Sequence, residues 1–138
     1  MRLGVMCSGN GTNFENIITN PICNKHEVVL MIHNTKQCGA VKRAAKFGIP
    51  HVRIPHKDEE RMIDMFNVWR VDLIVLAGYM RVIKNPSAFP APIINIHPYS
   101  FLQANLTVSA YHSTTNINYL ISVIGTEHCP SNQVVKNF

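Results

Sequence analysis

The chain has 138 residues, near the size of one domain, and its 46% hydrophobic and 15% charged residues form a globular rather than a disordered balance. Its net charge of +5 comes from 13 Lys and Arg scattered against 8 Asp and Glu, with no basic tract interleaved with aromatics, so a nucleic-acid partner is not expected. No apolar run reaches the ~18 residues that a membrane-spanning helix needs, and the stretch before the first glycines is too short for a secretory signal.

In chain order, Leu3 to Met6 reads as a buried strand leading into the loop Cys7-Ser8-Gly9-Asn10-Gly11. A helix is expected to open at Thr12, because Thr12-Asn13-Phe14-Glu15 fits a capping box, and to end near Thr19, since Pro21 cannot continue it. Val28 to His33 is a second strand, rich in β-branched and apolar residues. Gly39 to Phe47 has helical periodicity, with Gly48 as its stop and Lys42, Arg43 and Lys46 as a solvated face. His51 to Ile54 reads as a short strand closed by Pro55. Asp58 to Trp69 reads as an amphipathic helix anchored in the core by Met62, Met65, Phe66 and Trp69.

Leu73 to Ala77 is the strongest strand pattern and ends at Gly78; Ile93 to Ile96 is another, entered from the proline-rich stretch 86–92. Continuous apolar strands alternating with helices predict an α/β fold with a parallel sheet covered on both faces. Beyond His97 the chain turns rich in Ser, Thr and Asn, with 119–124 as its best apolar run and a frayed end expected over 130–138. Cys7, Cys23, Cys38 and Cys129 form no CxxC pair, so reduced thiols in a cytosolic protein, without a metal, are expected.

Three segments could carry chemistry. Ser8-Gly9-Asn10-Gly11-Thr12-Asn13 lies between a strand and a helix, where a glycine turn and the helix amino end offer N–H groups to an anion. No Gly-Lys-Ser/Thr follows, and Phe14 stands where a dinucleotide fingerprint has its third glycine, so a phosphate monoester fits better than a pyrophosphate. Taken alone, the loop is equally a glycine turn. Asn95-Ile96-His97-Pro98 ends a strand, and residues two apart in a strand share a face, so Asn95 and His97 should project together. An amide that can bind an oxyanion beside an imidazole suits acyl-type transfer to a substrate amine, although such a pair can also serve local backbone groups. Ala77-Gly78-Tyr79-Met80-Arg81-Val82-Ile83 could read a flat heterocycle through backbone amides and apolar walls, or be a plain strand exit.

Together, SGNGTN at 8–13, GIP at 48–50, DLIVLAGYMRVI at 72–83 and NIHP at 95–98 resemble the folate-dependent formyltransferases, over roughly residues 3–98. The resemblance implies a Rossmann-like, three-layer formyltransferase fold with a mostly parallel sheet whose C-terminal strands are incomplete. It implies a nucleotide-binding region over 1–98, with 99–138 a diverged or truncated segment of the same domain. It also implies transfer of a formyl group from 10-formyltetrahydrofolate to the amine of glycinamide ribonucleotide, in purine biosynthesis. On that basis Gly11, Thr12 and Asn13 would hold the substrate phosphate, with Gly78 and Met80 near the substrate. Arg81, Val82 and Ile83 would line the folate site, and Asn95 and His97 would be catalytic. The expected partners are those two small molecules, with neither nucleic acid nor membrane, and a homodimer is left open.

The resemblance weakens after Pro98. The family's Gly-x-x-x-His strand has a faint echo in Gly125-Thr126-Glu127-His128, but the Asp that pairs with the catalytic His in the family has no counterpart, since no Asp follows Asp72. Val135 stands near its place, and Glu127 is the only later carboxylate. Two other readings follow: a phosphate-ligand binding module without catalysis, and a formyltetrahydrofolate deformylase, whose family usually has a second His where Pro98 stands. Formyl transfer to an aminoacyl-tRNA is disfavoured by the chain's length.

Overall fold

The computed structural model of the protein describes residues 1–20, 23, 25–99 and 105–110; the side chains at 97–99 and 105–110 lie outside that description. Strands β1 (Arg2–Cys7), β2 (Glu27–His33), β3 (His51–Arg53), β4 (Leu73–Ala77), β5 (Ile93–Tyr99) and β6 (Asn105–Ala110) form one sheet in the order β3-β2-β1-β4-β5-β6. The first five strands run parallel and β6 is antiparallel to β5. Helices α1 (Thr12–Thr19), α2 (Ala40–Lys46) and α3 (Glu59–Val68) make the crossovers.

Strand periodicity divides the core into two layers. Leu3, Val5, Cys7, Met31, Leu73, Val75, Ala77, Ile94 and Ile96 face α1 and α2 through Phe14, Ile17, Ala40 and Ala44. The alternate positions Met6, Leu30, Ile32, Ile74, Leu76 and Ile93 face α3 through Met62 and Phe66. Two-sided burial explains why β1 and β4 read as continuous apolar runs. Met65 and Trp69, expected as core anchors, are only partly buried against this second layer.

The helix ends follow local chemistry. Asp58 caps α3, its carboxylate accepting from the Arg61 amide at 3.3 Å. Helix α2 closes with a Schellman pair, in which the Ile49 amide donates to Ala44 O at 2.8 Å and the Gly48 amide to Ala45 O at 3.3 Å. Helix α1 corrects the sequence reading. Thr12 is not its cap; Gly11 takes that place with φ 78°, and no side chain caps the end. The Glu15 carboxylate, expected to complete a capping box, pairs instead with Arg43 and, at 3.5 Å, with Lys46 on α2. Arg43 therefore belongs to a helix-to-helix tie rather than to a purely solvated face.

Strand β6 was not anticipated. Its residues alternate Leu106, Val108, Ala110 with Asn105, Thr107, Ser109, a period-two signal hidden in a polar stretch. The echo at 125–128, Val135, Cys129 and the apolar run 119–124 lie outside the described residues.

Candidate functional site

In an open parallel sheet ligands bind beyond the carboxyl ends of the strands where the strand order reverses. Here β1 is flanked by β2 and β4, with earlier strands to one side and later ones to the other, so the reversal falls between β1 and β4. The two loops leaving these strands are Ser8–Gly11 and the segment that begins at Gly78. The Ser8 amide donates to Gly78 O at 3.1 Å, and the Met80 amide donates to Ser8 Oγ at 2.8 Å. Two segments 70 residues apart in sequence are thereby stitched into one edge.

The first loop is held from the α2 side. Gly9 O accepts from the Ala40 amide at 3.1 Å and from Cys38 Sγ at 3.2 Å, and Asn10 O accepts from Arg43 Nε at 2.8 Å. A Cβ on Gly11 would stand 2.7 Å from Ala40 Cβ, so α1 and α2 can meet here only through a glycine. Thr12 is exposed and Asn13 partly so, which leaves the uncapped, electropositive first turn of α1 facing outward. A cavity of about 450 Å³ beside the loop is lined by Lys36, Cys38 and Lys42 among others, which adds positive charge on that flank.

After Gly78, at φ 74°, the chain alternates between surface and core. Tyr79 and Ile83 are buried, at 8% and 4% exposure, whereas Met80 and Val82 are 79% and 78% exposed and Arg81 is exposed too. Ile83 thus anchors the segment in the α3-side core, while Met80 and Val82 present apolar surface. The segment's far end is tied to α3, where the Glu59 carboxylate accepts from the Lys84 and Asn85 amides at 2.8 and 3.1 Å. Burial, reinforced by the Glu59 charge and opposed by Arg81, pushes the Tyr79 phenol up to about 12, so it stays protonated at neutral pH.

Strand β5 supplies the third part. Asn95 is 7% exposed and lies in register with Leu76 of β4. It sits two residues from Ile93 along the strand, hence on the α3 face. His97 occupies the next position but one of the same continuous strand, its backbone in register with Thr107 of β6. The direction of the His97 side chain lies outside the described residues. The structure therefore gathers Gly11, Thr12, Asn13, Gly78, Met80, Arg81, Val82 and Asn95 along the carboxyl edge of three adjacent strands. Sequence reasoning missed Asn34, Arg43 and Glu59 as fasteners of these loops; all three act across crossovers, where no local spacing signals them.

A second cavity of about 400 Å³, lined by Arg2, His26, Glu27, Phe47 and Trp69 among others, lies at the opposite, amino-terminal edge of the sheet. Arg2 there is already engaged, donating to Trp69 O at 2.9 and 3.1 Å. The carboxyl edge, where the strand order reverses, is the place where open parallel sheets bind their ligands. Among the described residues no cluster of His, Cys, Asp and Glu could hold a metal ion, and no helix is long and apolar enough to cross a membrane.

A mostly parallel sheet of this order, with a glycine loop at its reversal point, has the Rossmann-like architecture of a doubly wound α/β protein. Residues 1–114 match the formyl transferase family, and the chain belongs to it. It is 34% identical over 111 residues to the chloroplastic phosphoribosylglycinamide formyltransferase of Arabidopsis thaliana, covering 70% of this chain and 37% of that protein. It is 35% identical over 111 residues to the phosphoribosylglycinamide formyltransferase of Bacillus subtilis, covering 70% of this chain and 55% of that one. Its fold matches the crystal structure of glycinamide ribonucleotide transformylase 1 from Symbiobacterium toebii with a TM-score of 0.64 at 29% identity, over 74% of this chain and 53% of that chain. The chain thus spans about a third to a half of the length of these two curated relatives.

Proposed function

We propose that this chain carries the formyl-transfer site for glycinamide ribonucleotide, with 10-formyltetrahydrofolate as the donor, as in de novo purine biosynthesis. The observation that carries the reading is the meeting of the glycine loop, the Gly78–Ile83 segment and Asn95 at one sheet edge. The amides of Gly11, Thr12 and Asn13, at the electropositive end of α1, hold the ribonucleotide phosphate. Gly78 and Met80 border the ribonucleotide, and the exposed faces of Met80 and Val82, with Arg81 beside them, receive the folate. Ile83 contributes by fixing that segment in the core.

The chemistry is an acyl transfer. The glycinamide nitrogen forms a bond to the formyl carbon, and the bond from that carbon to N10 of the folate breaks. The proton lost by the amine ends on the departing N10. The Asn95 amide donates to the oxygen on which negative charge develops, and the His97 imidazole carries the proton between the two nitrogens. A stabilising hydrogen bond that strengthens only as charge develops lowers the barrier without tightening the ground state.

The test is a formyl-transfer assay on the purified chain. Asn95→Ala is expected to lower kcat by about 10²–10³, the cost of one lost oxyanion donor. A rate equal in wild type and Asn95→Ala would remove the assignment. The sequence has Glu127 as its one carboxylate after Asp72, so a binding module is the second reading. In calorimetry, ribonucleotide binding without folate binding selects the module.

A further inference from the structure

Ser8 joins three strand exits through one buried residue. Its hydroxyl donates to Asn34 Oδ1 at 2.6 Å, beyond β2, and accepts from the Met80 amide at 2.8 Å, beyond β4. Its amide donates to Gly78 O at 3.1 Å, and its carbonyl accepts from Thr35 Oγ1 at 2.8 Å. Ser8 is 8% exposed, so water cannot readily replace these partners. A hydroxyl has one proton; because the Met80 N–H takes up a lone pair, that proton is the one given to Asn34.

The rest of the glycine loop does not depend on this hydroxyl. Gly9 O and Asn10 O are gripped from the α2 side by the Ala40 amide, Cys38 and Arg43. On the other side, Met80 stands between the buried Tyr79 and the exposed Arg81 and Val82, and its amide is held by the Ser8 hydroxyl. Loss of the Ser8 hydroxyl therefore releases the Met80 segment more than it releases the anion loop.

We propose that Ser8, oriented by Asn34, is a positioning residue that holds the Met80–Val82 segment in register with the anion loop, so that ligands seated on the two loops meet at the edge near Asn95. The identity of those ligands rests on the formyl-transfer reading above. Two-substrate reactions lose rate steeply when the reacting atoms are misplaced by as little as an ångström, which gives such a fastener a function beyond stability.

The experiment compares wild type, Ser8→Ala and Ser8→Thr, using amide hydrogen exchange by NMR and calorimetric titration with glycinamide ribonucleotide and, separately, tetrahydrofolate. In folded Ser8→Ala the Met80 amide should exchange at least ~10-fold faster, while the Ala40 amide, bonded to Gly9 O, keeps its protection. Tetrahydrofolate affinity should fall about 10-fold, more than ribonucleotide affinity, and Ser8→Thr, which keeps the hydroxyl, should recover most of it. Should Ser8→Ala fail to fold, Asn34→Ala gives the same reading, since it lets the hydroxyl rotate and should raise Met80 exchange. Unchanged Met80 exchange, or equal loss of both ligands, overturns the proposal while wild-type transfer leaves the formyl-transfer reading standing. A wild-type chain that binds neither ligand overturns both.

Discussion

Gly11 is where a single atom decides the site. Its φ of 78° is unfavourable for any residue with a Cβ, and the added carbon would lie 2.8 Å from the Ala40 backbone. Gly11→Ala should destabilise the protein by about 2–5 kcal/mol, summing left-handed strain and overpacking, as read by urea denaturation. Gly9→Ala, where a Cβ would meet nothing within 4 Å, should stay within about 0.5 kcal/mol of wild type. If the two variants melt alike, the close approach of α1 to α2 is wrong.

His33 gives a pH signature at the same scale. Burial holds its imidazole below the ordinary value of 6.5; the Thr35 carbonyl, 3.0 Å from Nδ1, opposes this, and the charges of His51 and Arg53 reinforce it. The native site resists a proton that the unfolded chain accepts, so stability is complete above about pH 6.5 and falls as the pH drops toward the native value. His26 and His56 are displaced the same way, by burial first. The thermal midpoint should therefore decline from pH 7 to pH 5, and less steeply in His33→Gln, whose amide can still donate to the Thr35 carbonyl.

Among the elements, α1 and α2 are tied by Glu15 with Arg43 and Lys46, and Arg43 also grips Asn10 O. Glu15 and Arg43 are only partly exposed, so a double-mutant cycle of Glu15→Gln and Arg43→Gln should give a coupling of about 0.5–1 kcal/mol, at the upper end for such pairs. The coupling should shrink at 1 M salt, where charges are screened beyond ~3 Å. Additive free energies would show that the ion pair does not form in solution. At this scale the strands were legible because two-sided burial gives β1, β2 and β4 continuous apolar stretches. The start of α1 at Thr12 was legible, but its cap was misread, because a capping-box pattern is satisfied by sequence alone whereas Glu15 pairs with Arg43 and Lys46 on another helix. Strand β6 went unseen because its alternation offers only three apolar residues, which a polar neighbourhood disguises.

For the whole molecule, the site is a property of the strand order. Anything that binds the folded edge and not the unfolded chain must stabilise the protein by mass action. Glycinamide ribonucleotide at 100 times its dissociation constant should add about 2.7 kcal/mol, visible as a raised thermal midpoint. The shift should be lost in Gly11→Ala and kept in Asn95→Ala, because the proposed phosphate grip and the proposed oxyanion donor would be separate contacts. A midpoint unmoved by the ribonucleotide would refute the phosphate assignment.

The amino-acid sequence alone determined the alternation of strand and helix, the glycine loop, the Asn95 and His97 spacing and the family these motifs resemble. All of these are local: they follow from backbone sterics, hydrophobic period and residue chemistry within a few positions. Only the tertiary structure decided that Ser8 would bond Met80, that Asn34, Arg43 and Glu59 would fasten loops from other crossovers, and that Ile83 would be an anchor while Met80 and Val82 stay outside. Those facts depend on which strands become neighbours, and that is settled by burying both faces of the whole sheet at once rather than by any short stretch of chain.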